Sequence, residues 1–258
     1  MRIINLNVNG IRSAARKGFF TWLRKQKADV VCLQEIRAHE SQLTDPIFFP
    51  KNYYIYYLSA QTKGYSGIGI YTKIKPYTVN NTLRSTYAND EARYLQIELP
   101  GQLSIASIYV PSGTSGDKRQ AIKYDVLDQY LAILKLQLKV NRNYIICGDW
   151  NIAHQKIDIK NWRSNQDNSG FLHKERAWFD ALINQVGYVD AFRHKYPDKI
   201  QYTWWSNRKK SWEKNNGWRI DYQIISPNLS NKIINAYVYR DKKFSDHAPL
   251  IIDYTIDT

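Results

Sequence analysis

Asn143-Tyr144-Ile145-Ile146-Cys147-Gly148-Asp149-Trp150-Asn151 is the stretch whose reading decides the fold. Tyr144 to Cys147 is an apolar, partly β-branched run, the pattern of a strand buried on both faces. It stops at Gly148, which permits a sharp turn and delivers Asp149 and Asn151 to a sheet edge. In extended chain those two side chains leave from one face, so a carboxylate and an amide converge on one point. Such a point can seat a water, a metal or a phosphate. The plainer alternative is a Gly-Asp turn capped by Asn151, because these residue types dominate turns.

Working outward, the same ending recurs. Arg2 to Val8 alternates as a strand and runs into Asn5-Leu6-Asn7-Val8-Asn9-Gly10. Asp29 to Glu35 is a second buried strand that ends in a carboxylate. Arg93 to Leu99 and Leu103 to Val110 alternate clearly enough to pair as a hairpin around Pro100-Gly101, and the second of them ends at Tyr109. Trp218 to Ser226 reads as a strand with Arg219 and Asp221 on one face, where they could form a structural ion pair. Further strands are expected at Tyr53 to Leu58, Gly67 to Thr72, Gln201 to Trp205, Asn231 to Tyr239 and Leu250 to Tyr254. Phe244-Ser245-Asp246-His247-Ala248-Pro249 reads as a turn.

Helical spacing of apolar residues marks Ser13 to Lys27, Asp117 to Val140 and Lys174 to Gln185. In the longest of these, Ile122, Val126, Tyr130, Leu134 and Leu138 form a core-facing stripe. Ile152 to Leu172 is polar and reads as a long ordered loop over the site. No low-complexity tract divides the chain, and both halves begin with a strand that ends in an Asn- or Asp-bearing turn. The expectation is an α/β protein in one domain over 1–258, with two packed mixed β-sheets flanked by helices and two pseudo-symmetric halves.

A chain of 258 residues with 43% hydrophobic content can bury a substantial core. Its formal net charge of +14 favours an acidic partner such as nucleic acid, although a Lys- and Asn-rich composition alone could produce part of it. The two cysteines, Cys32 and Cys147, lie in apolar runs and suit reduced buried thiols rather than a disulfide framework or a Cys/His metal site. No apolar run approaches the roughly 20 residues that span a bilayer, and the N-terminus shows no leader pattern. A soluble, cytoplasmic protein with no membrane partner is expected.

Asn7, Glu35, Tyr109, Asp149 with Asn151, and Asp246 with His247 therefore stand at five separate strand or turn ends, with Asp221 in a sixth segment. Each alone has an ordinary explanation as a core tyrosine, a surface carboxylate or a turn histidine. Five on elements that could share an edge point to one assembled site. The oxygen-rich set suits magnesium or manganese better than structural zinc. Trp204, Trp205, Trp212 and Trp218, interleaved with Arg208, Lys209, Lys210 and Lys214, suit stacking against a distorted duplex, while packing in the core is the alternative for some of them.

Leu6-Asn7-Val8-Asn9-Gly10-Ile11-Arg12, Leu33-Gln34-Glu35-Ile36, Tyr109-Val110-Pro111, Gly148-Asp149-Trp150-Asn151, Trp218-Arg219-Ile220-Asp221-Tyr222 and Ser245-Asp246-His247 occur in the order found in the exonuclease III family of abasic-site endonucleases. The chain resembles the bacterial members of that family over nearly its whole length. The resemblance implies a four-layered α/β sandwich of the endonuclease/exonuclease/phosphatase superfamily. It implies hydrolysis of double-stranded DNA 5′ to abasic sites, with 3′→5′ exonuclease, 3′-phosphodiesterase or 3′-phosphatase side activities on blocked 3′ ends, by a monomer.

By the same resemblance, Tyr109, Asp149, Asn151, Asp221 and His247 are catalytic. Asn7, Glu35, Asp149, Asn151, Asp246 and His247 surround Mg2+, for which Mn2+ is a substitute. Arg12, Ser112, Ser169, Trp204, Trp212 and Trp218 contact DNA, with Trp204 and Trp218 as pocket wall, Trp212 as a loop wedge and Ser169-Gly170 leaving room for the sugar. Ser112 replaces the Asn or Gln common in relatives, and Asn9 stands where animal members carry Asp. The chain also lacks their long N-terminal extension. Two alternatives are a phosphodiesterase acting on RNA, a phosphoinositide or a phospholipid, and a DNA-binding module without catalysis. The retained Glu35, Asp149, Asn151, Asp221 and His247 weigh against the second.

Overall fold

A computed structural model describes residues 1–83, 86–208 and 210–256. Twelve strands are described: β1 (Arg2–Asn7), β2 (Val30–Gln34), β3 (Tyr54–Leu58), β4 (Ile68–Thr72), β5 (Thr78–Asn80), β6 (Tyr94–Leu99), β7 (Leu103–Tyr109), β8 (Asn143–Asp149), β9 (Val189–Asp190), β10 (Asp221–Ile225), β11 (Ile233–Val238) and β12 (Leu250–Tyr254). They form two six-stranded sheets, ordered β11-β12-β1-β2-β4-β3 and β5-β6-β7-β8-β10-β9. In each sheet the third and fourth strands are parallel, β1 with β2 and β7 with β8, and every other pairing is antiparallel.

Side-chain alternation along the strands builds the layers. Ile3, Val30, Cys32 and Ile70 of one sheet meet Ile97, Ile105, Ile145, Cys147 and Ile225 of the other in a single apolar core. The opposite faces of the same strands are also apolar. Ile4, Leu6, Val31 and Leu33 pack on Phe19, Phe20, Trp22 and Leu23 of the helical layer. On the far side Ala106, Ile108, Ile146 and Ile224 pack on Val126, Leu127, Tyr130 and Leu134. The result is helix, sheet, sheet, helix. No helix among the described residues is long and apolar enough to cross a membrane.

Toward one end the inter-sheet face turns polar. Gln34 donates to Asn5 Oδ1 at 2.8 Å and to Ser107 Oγ at 2.9 Å, and Asn5 Nδ2 reaches Gly148 O at 3.3 Å. These fully buried bonds tie β1 and β2 to β7 and β8, and they lie directly below the strand ends that carry Asn7, Glu35, Tyr109 and Asp149.

Several expectations need correction. The helix expected over Ser13 to Lys27 is two helices, α1 (Ile11–Arg16) and α2 (Phe19–Gln26), because Gly18 takes a left-handed conformation with φ 87 between them. Asp117–Gln137 is one long helix, here α4 after α3 (Thr86–Asp90). The segment from 174 to 185 is α5 (His173–Asp180), continued by a π-helical turn over Ala181–Val186. A short helix, α6 (Ala191–Lys195), and the edge strands β5 and β9 had no clear sequence pattern.

Gln201 to Trp205 is not a strand and contributes only isolated bridges from Trp204 to Trp218 and to His247. Gly148 lies within β8 and is small for a different reason than a turn. A Cβ there would stand 2.4 Å from the carbonyl oxygen of Ile108 on β7.

Nor does Arg219 pair with Asp221. Strand β10 begins only at Asp221, and the Arg219 guanidinium turns away to bridge Asp158 and Asp190, each at 2.8 Å, stacked 4.4 Å from the Tyr222 ring centre. Arg193 also pairs with Asp158. This buried network pins the middle of the 152–172 loop to the strand that supplies Asp221. Burial raises the Asp158 pKa, but the two arginines outweigh it and hold the carboxyl below its usual range. Its stabilising contribution is thus present above the unfolded carboxyl value of about 4 and lost as pH falls through the lower folded value. Arg219→Met, which leaves Asp190 without its cation and Asp158 with Arg193 alone, should lower unfolding free energy by about 3–5 kcal/mol at pH 7. Urea titrations of both proteins should show that gap narrowing toward pH 3, and a pH-independent gap would count against the pairing as its source.

Candidate active site

The strand ends meet in one cleft of about 850 Å³, lined by Glu35, Tyr109, Asp149, Asn151, Asp246 and His247 among others. Asn7, at the end of β1, lies just behind this lining. Its Nδ2 donates to Glu35 Oε2 at 2.9 Å and to Asp149 Oδ2 at 2.8 Å, so one amide holds carboxylates from both sheets. Its Oδ1 is engaged by the backbone N–H of Asn9 at 2.9 Å. Glu35 follows β2 in a left-handed conformation, φ 58, and also accepts from Arg37 Nε at 2.9 Å.

Asp149 closes β8, with Asp221 opposite it in the antiparallel register and Tyr109 beside it in the parallel one. The extended-chain geometry expected for Asp149 and Asn151 is not what brings them together. Asn151 is left-handed, φ 51, and its N–H donates to Asp149 Oδ1 at 2.9 Å, so the capped turn and the functional convergence are the same structure. Asn151 Nδ2 donates its other bond to Val110 O at 2.8 Å, which aims the amide along the cleft.

His247 stands between two carboxylates. Its Nδ1 lies 2.8 Å from Asp221 Oδ2 and its Nε2 3.8 Å from Asp149 Oδ2. Burial lowers the imidazole pKa, but Asp221 and then Asp149 outweigh it and push it up to about 10. Asp149 behaves oppositely: burial dominates, Asp221 repels, and the carboxyl is pushed up to about 7 despite the attraction of His247. Asp246 is held below the usual carboxyl range, because His247, Asn9 Nδ2 at 2.8 Å and Trp204 Nε1 at 3.2 Å together overcome its burial. For Tyr109, burial and then the Glu35 charge raise the phenol well above 10, so it is a protonated donor at neutral pH.

The donor set fits a hard divalent cation. Four carboxylates, Glu35, Asp149, Asp221 and Asp246, converge with no thiol, and Asp221 Oδ1 is buried without a hydrogen-bond partner among the described residues. Asp149, Asp221 and His247 each place one ligand atom within 4.8 Å of the others. On the other side of Asp149, Glu35 shares the Asn7 amide with it and offers a second set of oxygen donors.

Ser112, Ser169, Gly170, Trp204 and Trp218 line the cleft, and the two tryptophan rings meet edge to face at 6.0 Å. Trp212 does not join them. It packs on Trp205 at 4.5 Å and lies 5.2 Å from the Arg240 guanidinium, in a separate aromatic cluster. Arg12 is exposed in the first turn of α1 and is not part of the cleft wall. Lys209 lies outside the described residues.

Sequence reading missed the opposite rim. Arg93 sits 4.4 Å over the Tyr109 ring and pairs with Glu91 at 2.6 Å, while Arg119 pairs with Glu91 and reaches Tyr65 Oη at 2.6 Å. No spacing links 65, 91, 93 and 119.

The geometry can be set beside known proteins. An exodeoxyribonuclease of Bacillus subtilis (strain 168) is 35% identical over 252 residues, covering 97% of this chain and 98% of its own. A DNA-(apurinic or apyrimidinic site) endonuclease of Dictyostelium discoideum is 34% identical over 253 residues, covering 97% of this chain and 69% of its own. The solved structure of an AP endonuclease from Archaeoglobus fulgidus matches with a TM-score of 0.90 at 25% identity, over 99% of this chain and 100% of its own. Residues 4–247 match the Endonuclease/Exonuclease/phosphatase family, and the chain belongs to it.

Proposed function

We propose that this chain, a DNA repair nuclease, is a single catalytic domain of two pseudo-symmetric halves that hydrolyses the phosphodiester 5′ to abasic sites in duplex DNA. We further assign it 3′→5′ exonuclease, 3′-phosphodiesterase or 3′-phosphatase side activities, Mg2+ as its ion with Mn2+ able to substitute, a monomeric state and a cytoplasmic location. The observation that carries the reading is the convergence of Asp149, His247 and Tyr109 on one cleft, with Asn7 and Asp221 buried behind them.

Phosphodiester hydrolysis needs an aligned nucleophile, charge neutralisation and a stabilised leaving oxygen. Asp149, with a carboxyl poised near neutrality, orients the attacking water and takes its proton. His247, kept cationic by Asp221, donates from Nε2 to a non-bridging phosphate oxygen. Tyr109 donates its phenolic hydrogen toward the phosphate or the departing oxygen. Asn151, fixed through its backbone N–H and its bond to Val110 O, holds the phosphate in line. Glu35, with Asp149 and Asp246, would hold the divalent ion, which when bound supplies charge neutralisation on the phosphate and the leaving oxyanion. Trp204 and Trp218 wall the slot for the sugar.

The deciding experiment compares a duplex with one abasic site, an intact duplex and a nick ending in 3′-phosphate, each with Mg2+ and with chelator. Metal-dependent incision 5′ to the abasic site is expected. Silence on all three with DNA binding intact would move the reading to another phosphodiester. Asp149→Asn should bind the abasic duplex as the parent does and lose at least about a hundredfold in kcat; parent-like turnover would remove Asp149 from the mechanism.

Glu35→Gln should shift the Mg2+ activation curve to higher concentration, by about tenfold or more, and an unmoved curve would exclude it as a ligand. Asp221→Asn removes the charge that most raises the His247 pKa. The imidazolium is then lost at lower pH, so the alkaline limb of the kcat/KM profile should move down from near 10. A limb that stays in place would mean that another group sets it.

A further inference from the structure

Beneath Asn151, behind the residues that line the cleft, lies a fully buried ion pair. Lys123 on α4 and Glu175 in the first turn of α5 are both 0% exposed. Lys123 Nζ also donates to the backbone carbonyl of Asn151 at 2.8 Å. Glu175 Oε2 accepts from the backbone N–H groups of Gly170 at 2.7 Å and Leu172 at 3.0 Å, and its Oε1 accepts from Gln120 Nε2 at 3.1 Å. Two packed helices have little energetic need of such a pair, since an apolar contact of the same volume is commonly as stable. What the charges add is direction.

That direction leads to the site from two sides. The Asn151 carbonyl bond is the third tie on a residue in the left-handed conformation, beside the ties to Asp149 Oδ1 and Val110 O. Gly170 is left-handed as well, φ 96, and a Cβ there would stand 2.9 Å from Trp218 Cζ3 and 3.2 Å from Asn151 O. Asn151, Gly170 and the Trp218 ring are thus in one close-packed row with the ion pair at its base.

We propose that Lys123 and Glu175 are positioning residues, whose pair fixes the Asn151 backbone and the Ser169-Gly170-Trp218 wall relative to each other and so sets the gap between phosphate and sugar slot. The proposal rests on the reading of the cleft given above. Neither side chain lines the cleft, so substituting them alters its geometry without altering its surface.

Two variants separate positioning from simple support. Glu175→Gln keeps an oxygen for the Gly170 and Leu172 N–H groups but removes the counter-charge of Lys123 and turns an amide N–H toward its Nζ, so it is the weakened reference in which Lys123 still reaches Asn151, and its kcat on the abasic duplex should fall below that of the parent. Adding Lys123→Met keeps the apolar stem and deletes only that donation. The double variant should melt within a few degrees of Glu175→Gln, keep KM within about twofold and lose at least about tenfold in kcat, since misplacements of about 1 Å suffice for that. Equal kcat in the two variants would overturn the proposal and leave the pair as structural.

Should the double variant not fold, Lys123→Arg, which keeps charge and donor, and Lys123→Met alone decide instead. Parent-like kcat in Lys123→Arg together with at least about a tenfold kcat loss in Lys123→Met, at KM within about twofold, upholds the donation to Asn151, and parent-like kcat in both overturns it. The parent is assayed alongside, so that an inactive parent counts against the reading of the cleft and not against the pair.

Discussion

A neutral amide joins the two sheets at the site. Asn7 reaches Glu35 on its own sheet and Asp149 on the other with the two hydrogens of one Nδ2. Two carboxylates this close repel, and a lysine in place of Asn7 would quench the charge that a divalent ion is attracted to. An amide satisfies a lone pair on each carboxylate and adds no charge. The Asn5, Gln34 and Ser107 bonds below it are equally neutral and equally buried. An apolar interface between sheets tolerates small sliding, whereas this polar ladder has one register, because any other leaves buried donors without acceptors.

On that frame the acid and base roles separate by environment. Asp149 and His247 stand 3.8 Å apart, yet burial governs the carboxyl and the neighbouring carboxylates govern the imidazole. Asp221 acts on both in useful directions: it raises the His247 pKa and, by repulsion, that of Asp149. A single buried aspartate therefore helps keep the His247 imidazole charged and adds its repulsion to the burial that raises the Asp149 carboxyl to about 7.

The layers and the polar strand ends were legible in the sequence because each rests on a local rule. Ile145-Ile146-Cys147 needs burial on both faces, and residues such as Asn7 and Asp149 at the end of such runs must emerge at a sheet edge. What could not be read is what depends on contacts distant in sequence. Arg219 and Asp221 share a face in any strand drawn from the sequence, but the strand begins at Asp221, and Asp158, 61 residues away along the chain, captures the arginine. The packing of Trp212 on Trp205, apart from the cleft wall, is likewise a contact that its place among cations did not show. Gly148 was recognised as significant for the wrong reason, since its lack of a Cβ serves strand contact rather than a turn. The rim of Arg93, Arg119 and Tyr65 has no sequence signature because three separate elements supply it.

Backbone strain explains how strand ends come to face a common cleft. Asn9, Glu35, Arg37 and Asn151 all adopt positive φ, between 43 and 58, although none is glycine. A strand that simply ran on would carry its side chains past the sheet edge into solvent. One left-handed residue at the end reverses the chain at once and folds the side chain back over the layer. The conformation costs Glu35 and Arg37 about 1–2 kcal/mol each and the two asparagines less, and each of the four is tied by a hydrogen bond: Asn9 N–H donates to Asn7 Oδ1 at 2.9 Å, Gly10 N–H to Glu35 O at 2.8 Å, Arg37 N–H to Ser66 O at 2.8 Å, and Asn151 N–H to Asp149 Oδ1 at 2.9 Å. Left-handed residues concentrated where the carboxylates converge, each tied by hydrogen bonds, define one arrangement of the site's donors and acceptors. Such an arrangement is what electrostatic catalysis requires, because donors fixed in advance need no reorganisation when charge develops on the phosphate.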